Sequence, residues 1–143
     1  MNPNAILTLA RTLAQGSSEV EYRCAISRAY YHVYHVLKLQ VFLSLNIIIR
    51  SAIFDDDKDL KHNSLIEGLE RTADAQILVF AKNLRDLKIF RAEADYEIIN
   101  KAINKAHAKN GIEQAEELMI DYNSIGQQKF IRKLKDYYRK TSA

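Results

Sequence analysis

Proline breaks helix interiors and glycine loosens them, and this chain is nearly free of both. Its only proline is Pro3, and only four glycines are spread over 143 residues. An all-β sandwich or barrel needs turn residues after every short strand, so such a fold is disfavoured. A chain of this length fits one domain, which can bury about two-thirds of its unfolded surface. With 48% hydrophobic and 27% charged residues it has the apolar content for a real core.

Hydrophobic spacing then divides the chain into helices. Pro3 suits a first helical turn, where its missing N–H costs nothing. Ile6, Leu7, Leu9, Ala10 and Leu13 follow at helical spacing, and Gly16 is a stop. Ser17 or Ser18 caps a second helix, with Glu21 three residues after Ser18 as a capping box requires. That helix is read from about Ser18 to about Leu45. Ile47 to Asp59 reads as a loop or a broken short helix, and His62 to Thr72 as a helix carrying Leu65 and Leu69. Asp74 caps a fourth helix running to about Tyr96. Its stripe Ile77, Phe80, Leu84, Leu87, Arg91, Ala94 has the spacing of one buried face. A further helix covers about Ala102 to Tyr122, with Gly111 weakening it locally. Asn123 to Gly126 is a break, and Gln127 to Lys140 is a short basic helix. The expectation is an all-α bundle of four to five helices with a basic C-terminal helix.

Charge and cysteine usage narrow the setting. The net charge of +3 conceals an uneven distribution. From Gln127 onward, Lys129, Arg132, Lys133, Lys135, Arg139 and Lys140 face one acid, Asp136, while Asp55, Asp56, Asp57 and Asp59 crowd a short central segment. The single cysteine, Cys24, allows no intrachain disulfide, which suits a reducing compartment. No apolar run approaches the roughly 18 residues of a membrane span, and the N-terminus does not read as a signal peptide. A cytoplasmic protein without a membrane partner is expected. Phosphate-loop, dinucleotide, H-E-x-x-H and paired Glu-x-x-His patterns are all missing, so no metal or cofactor is expected.

Two helical faces carry polar chemistry. With Arg28 at zero, His32 falls at about 40°, His35 at about −20° and Tyr31 at about −60° around the second helix. The opposite side holds Tyr22, Ile26, Ala29, Tyr30, Val33, Val36 and Leu37, so the histidines are expected to point away from the main core. Two imidazoles beside a guanidinium can transfer protons at a phosphodiester and steady its charge. The same face also reads as a solvated, hydrogen-bonding helix face or as an interface rich in tyrosine. In the fourth helix, Arg91 takes a slot where leucine is expected, with Asp95 four residues on and Tyr96 beside it. It is either a structural ion pair or an arginine held for phosphate. The tail interleaves bases with Phe130, Tyr137 and Tyr138, a mix that can track a nucleic-acid backbone through Lys129, Arg132 and Lys133 or simply stay solvated. His62, near a helix start, is a cap or a site residue, and His107 reads as surface.

Taken in order, Ser27-Arg28-Ala29-Tyr30-Tyr31, Lys61-His62, and Leu84-Arg85 through Arg91-Ala92-Glu93-Ala94-Asp95-Tyr96 resemble the HEPN superfamily. The resemblance is to its small stand-alone members with S-R-x-Y-Y and R-x-x-A-D-Y signatures, and it spans about residues 4 to 122 of a single domain, 1–143. It implies a helical bundle that forms a homodimer and binds RNA or nucleotide in a prokaryotic toxin–antitoxin or defence system, often beside a nucleotidyltransferase partner. Active members are metal-independent endoribonucleases with a composite arginine–histidine site across the dimer. The polar faces, the basic tail and the resemblance together make Arg28, His32, His35, Arg91, Asp95 and Tyr96 the catalytic candidates, and Tyr31, His62, Lys129, Arg132 and Lys133 the RNA-binding ones. This chain departs from the pattern where active members carry R-N-x-x-x-H: Ala92 replaces the asparagine and Tyr96 the histidine. A tyrosine of ordinary pKa, about 10, is a poor proton acceptor near neutrality. The contrasting readings are a non-catalytic interaction module and an accessory subunit of a nucleotidyltransferase.

Overall fold

Helix starts in this chain are written by short polar side chains. Asn2 accepts a hydrogen bond from the Asn4 amide at 3.0 Å and opens α1, Pro3–Ala14. Ser18 and Glu21 form the expected reciprocal box, the Ser18 hydroxyl donating to the Glu21 carboxylate at 2.8 Å while accepting from the Glu21 amide at 3.3 Å. It opens α2, Glu19–Gln40. Asp74 accepts from the amides of Gln76 and Ile77 at 3.0 and 3.1 Å and starts α4, Ala75–Tyr96. Asn104 and His107 exchange backbone-to-side-chain bonds at 3.0 Å and start α5, Lys105–Ile125. The remaining helices are α3, His62–Glu70, and α6, Gln127–Ser142. This computed structural model describes residues 2–45 and 62–142, with side chains described for 2–45 and 65–139. Within them the chain is all-α, with six helices and no strand.

Several boundaries differ from the sequence reading. The second helix ends at Gln40, and Phe42–Ser44 form a 3-10 turn. Val41, Phe42 and Leu45 are buried there, so their apolar pattern reflects core packing without α-helix. The fifth helix begins at Lys105 and continues through Ile125, leaving Gly126 alone as the break before α6. Gly126 has φ +94°, the left-handed conformation that glycine adopts without steric cost. The expected loop over Ile47 to Asp59, with its four aspartates, lies outside the described residues.

The chain divides into two compact units. Unit one comprises residues 1–35 and 85–120, and unit two comprises residues 36–84 and 121–143. Unit one buries Ile6, Leu7 and Ala10 of α1, Ile26, Ala29 and Val33 of α2, Leu87 and Ala94 of α4, and Ala108 and Ala115 of α5. Gly111 lies inside α5 because a Cβ there would meet Ile26 Cγ1 at 3.1 Å, so two helices approach closely at that point. Unit two is built around Phe80, Tyr122 and Phe130. Phe130 stands edge-on to Phe80 at 5.0 Å and stacks on Tyr122 at 5.2 Å between centroids. Leu65, Ile66 and Leu69 of α3 and Leu134 and Tyr138 of α6 are also buried there. The whole α4 stripe is buried as its spacing predicts, including Arg91.

Candidate functional site

Arg91 sits on the core side of α4 at 9% exposure. An unpaired charge there would be strongly destabilising, so its surroundings show how it is kept. Its Nη1 donates to Asp95 Oδ2 at 3.2 Å, the i, i+4 pair expected from sequence. Its guanidinium carbon lies 5.3 Å from the Tyr30 ring centroid and 5.6 Å from that of Tyr31. Burial works against the positive charge, but the Asp95 hydrogen bond and the adjacent tyrosines outweigh it and raise the pKa. Arg91 therefore remains a cation. One donor is left over: among the described residues, Arg91 Nε is buried without a hydrogen-bond partner.

The α2 face brings further groups to the same place. Ser27, itself buried, donates to the same Asp95 Oδ2 at 3.4 Å. Arg28 is exposed, and its guanidinium carbon lies 5.7 Å from the Tyr31 centroid. Tyr31 thus has two arginines within cation–π range, one buried and one in solvent. His35 is half-buried, 6.2 Å from Tyr31 and 5.0 Å from Tyr34 between ring centroids. Tyr30 and Tyr34 are buried behind this row, and burial pushes the Tyr30 phenol well above its ordinary pKa. The two motifs found separately in sequence, on α2 and α4, are therefore one cluster: Ser27, Arg28, Tyr31 and His35 with Arg91 and Asp95. Two guanidinium groups and one carboxylate leave it net positive, with aromatic surface beside the charge. Such a set can hold a phosphate and stack a base, with an imidazole near enough to Tyr31 to serve the same ligand.

His32 corrects the sequence reading. It is 2% exposed, and its Nδ1 lies 2.7 Å from the Pro3 carbonyl oxygen. A carbonyl only accepts, so Nδ1 carries the proton and is committed to the start of α1. The helical wheel fixed its angle about α2 but not which segment covers that angle, and the α1 start covers it. Tyr96 is 74% exposed at the end of α4. Lys129 is not on an open surface: its Nζ lies 3.0 Å from Asp74 Oδ2 and 2.7 Å from Gln76 Oε1. It closes the start of α4, and the amide bonds together with Lys129 hold the Asp74 carboxyl below its usual pKa. Arg132 is exposed and Lys133 half-buried on α6, in unit two. The His62 side chain lies outside the described residues. His107, half-buried, is engaged in the α5 cap. Among the described residues no three His, Cys, Asp or Glu side chains gather as a metal site needs.

Arg23 carries more of this region than its sequence signal, a single Glu19–Arg23 spacing, indicates. It is 8% exposed and donates to the carbonyls of Glu93 at 3.4 Å, Ala94 at 2.8 Å and Glu97 at 3.5 Å, and to that of Lys101. Glu19 Oε1 accepts from Arg23 at 2.7 Å and from the Ile103 amide at 3.3 Å, and these bonds lower the Glu19 pKa. Arg23 thereby satisfies carbonyls at and just beyond the end of α4, next to Asp95. A shallow cavity of about 380 Å³ opens here, lined by Val20, Arg23, Cys24, Ala94, Asp95 and Ile98 among others. No family model, curated protein or solved structure matches this chain.

Proposed function

We propose that this chain is an HEPN-like RNA-binding protein of a prokaryotic toxin–antitoxin or defence system, acting as a homodimer. In this reading Arg28 and Arg91 hold an RNA phosphodiester, Tyr31 offers a stacking surface between them, and His35 is the proton-transfer group at the same place. One observation carries the reading. A cationic arginine is retained inside an apolar stripe, one of its donors unpaired, within contact range of a tyrosine that a second, exposed arginine also approaches. Leucine would fill that slot without the burial cost. A bound phosphate oxygen gives Arg91 the acceptor it lacks, and charge-assisted bonds of this type are strong.

Binding is the primary activity in this reading. His32 is tied to Pro3, and Tyr96 is a solvent-exposed phenol, so His35 is the imidazole left beside the arginines. The test is fluorescence anisotropy with labelled single-stranded RNA at low salt, using wild type, Arg28→Gln and His35→Ala. Arg28 is exposed, so its loss leaves the core intact. Losing one charge-assisted contact of about 1.5 kcal/mol weakens binding about tenfold. His35→Ala is expected to retain binding. Incubating the same RNA with chelator then reads cleavage: strand scission lost in His35→Ala identifies a metal-independent endoribonuclease. Absence of RNA binding by the wild type, or equal binding by Arg28→Gln, overturns the proposal.

A further inference from the structure

The helix α6 presents a second charged surface, in unit two, and its apolar side is already used. Phe130, Ile131, Leu134 and Tyr138 are buried, with Phe130 and Leu134 fully so. Around the helix, Arg132, Lys135 and Arg139 fall within about 60° of one another, with Lys135 beside the buried side and the two arginines further from it. Arg132 and Arg139 are exposed and Lys135 is half-buried. None of the three forms a hydrogen bond or ion pair with a described residue, in contrast to Lys129 one turn earlier. Asp136, exposed, is the sole acid of the helix and lies about 40° from Arg132 on the same face.

From this we infer that α6 is a phosphate-backbone track: its Arg132–Lys135–Arg139 stripe docks a nucleic-acid strand by charge alone. Like charges in a row repel each other, and one acid against three bases leaves this face net positive, so it is best satisfied by an external polyanion. The span fits a strand. Seven residues of helix rise about 10 Å, so three long side chains spread over that length can each reach a phosphate of one flexible single strand. Three bases therefore face about three phosphates. An amphipathic basic helix that lies on a membrane needs an exposed apolar side to insert. The apolar side of α6 is buried within unit two, so the stripe offers a lipid surface charge and nothing to anchor. Contacts to phosphates alone carry no base information, so this contact is independent of sequence.

The stripe stands independently of the α2–α4 cluster, and one experiment separates them. Affinity for a single-stranded oligonucleotide is measured from 50 to 200 mM salt for the wild type, the triple variant Arg132→Gln/Lys135→Gln/Arg139→Gln, and Arg28→Gln. Circular dichroism checks that each variant is folded, and three of the four positions, Arg28, Arg132 and Arg139, are exposed. Each single-strand phosphate contact contributes about 0.7 to the slope of log affinity against log salt. The triple variant is expected to flatten the slope by about 2 and to weaken binding at least tenfold at the lowest salt. An unchanged slope in the folded triple variant overturns the track, whatever Arg28→Gln does. A flattened slope supports the track even where Arg28→Gln is silent, the result that would sink the proposed cluster instead. Vesicles of equal phosphatidylserine and phosphatidylcholine form the last arm. Wild type that binds them and not the oligonucleotide overturns the track in favour of a membrane partner.

Discussion

Replacing Arg91 by methionine separates what this residue does for the fold from what it does for a ligand. The comparison is with Asp95→Ala. Removing Asp95 deletes a charge-assisted hydrogen bond, a type of contact that contributes about 1.5–3 kcal/mol. The Asp95 side chain is 27% exposed, so water takes over part of its role. The expected loss is about 1–2 kcal/mol, because Arg91 is left buried with Nε already unpaired. At about 2–4 °C per kcal/mol for a chain of this size, Tm falls by about 2–8 °C. Arg91→Met instead removes the buried charge and its unpaired donor together. It forfeits the contacts with Tyr30 and Tyr31, about 1–2 kcal/mol, while an unbranched apolar side chain fills the stripe. The two effects nearly cancel, leaving stability within about 1 kcal/mol of wild type. Thermal unfolding by circular dichroism, with RNA anisotropy on the same samples, reads both quantities. Arg91→Met is expected to unfold above Asp95→Ala and to lose RNA binding. Arg91→Met unfolding below Asp95→Ala refutes the reasoning, since the arginine would then be in the stripe for the fold.

Three further outcomes follow from unit two. Phe130→Ala empties a fully buried site between Phe80 and Tyr122 and is expected to cost about 3–5 kcal/mol in urea unfolding. Gly68→Ala is expected to destabilise despite alanine's better helix propensity, because the new Cβ would lie 2.6 Å from the buried Tyr138 hydroxyl; a raised Tm would contradict this packing. Asp74→Asn keeps a capping oxygen but loses the Lys129 pair. Because the folded Asp74 pKa is depressed, its contribution is present above the unfolded value and is lost as pH falls through the folded one. The stability gap between wild type and Asp74→Asn is therefore expected at neutral pH and closes as pH drops below about 4. A gap that persists at pH 2 counts against the ion pair as its source.

Local rules carried the sequence reading furthest. The cap at Asp74, the box at Ser18 and Glu21, and the stripe from Ile77 to Ala94, each step of which is three or four residues, depend on near neighbours in sequence, and the structure contains them as read. The Arg91–Asp95 pair is legible for the same reason. What was not legible depends on distant segments. His32 is covered by Pro3, 29 positions away, and Tyr31 meets Arg91 only through the α2–α4 packing. Val41 to Leu45 kept an apolar pattern while leaving the α-helix, because burial selects the residues there and not the backbone form. Lys129 looked like part of a basic tail, yet its charge is matched by an aspartate far upstream.

The two ends of α4 differ in when they can form. Its start needs only Asp74 and the next three amides, contacts available as soon as that stretch of chain exists. Its end has no glycine terminator; Arg23 holds the Ala94 carbonyl from 71 positions upstream. Closing a contact of that separation carries loop entropy that local turns do not, so it belongs late in the folding sequence. Helix α4 is therefore expected to form from its N-terminal side, and its last turn, which carries Asp95, to set once α2 has docked. Substitutions at Asp74 are expected to act on the folding rate, and those at Arg23 mainly on the unfolding rate. The Arg23 contact, and with it the end of α4 beside Asp95, is thus expected among the last parts of unit one to become ordered.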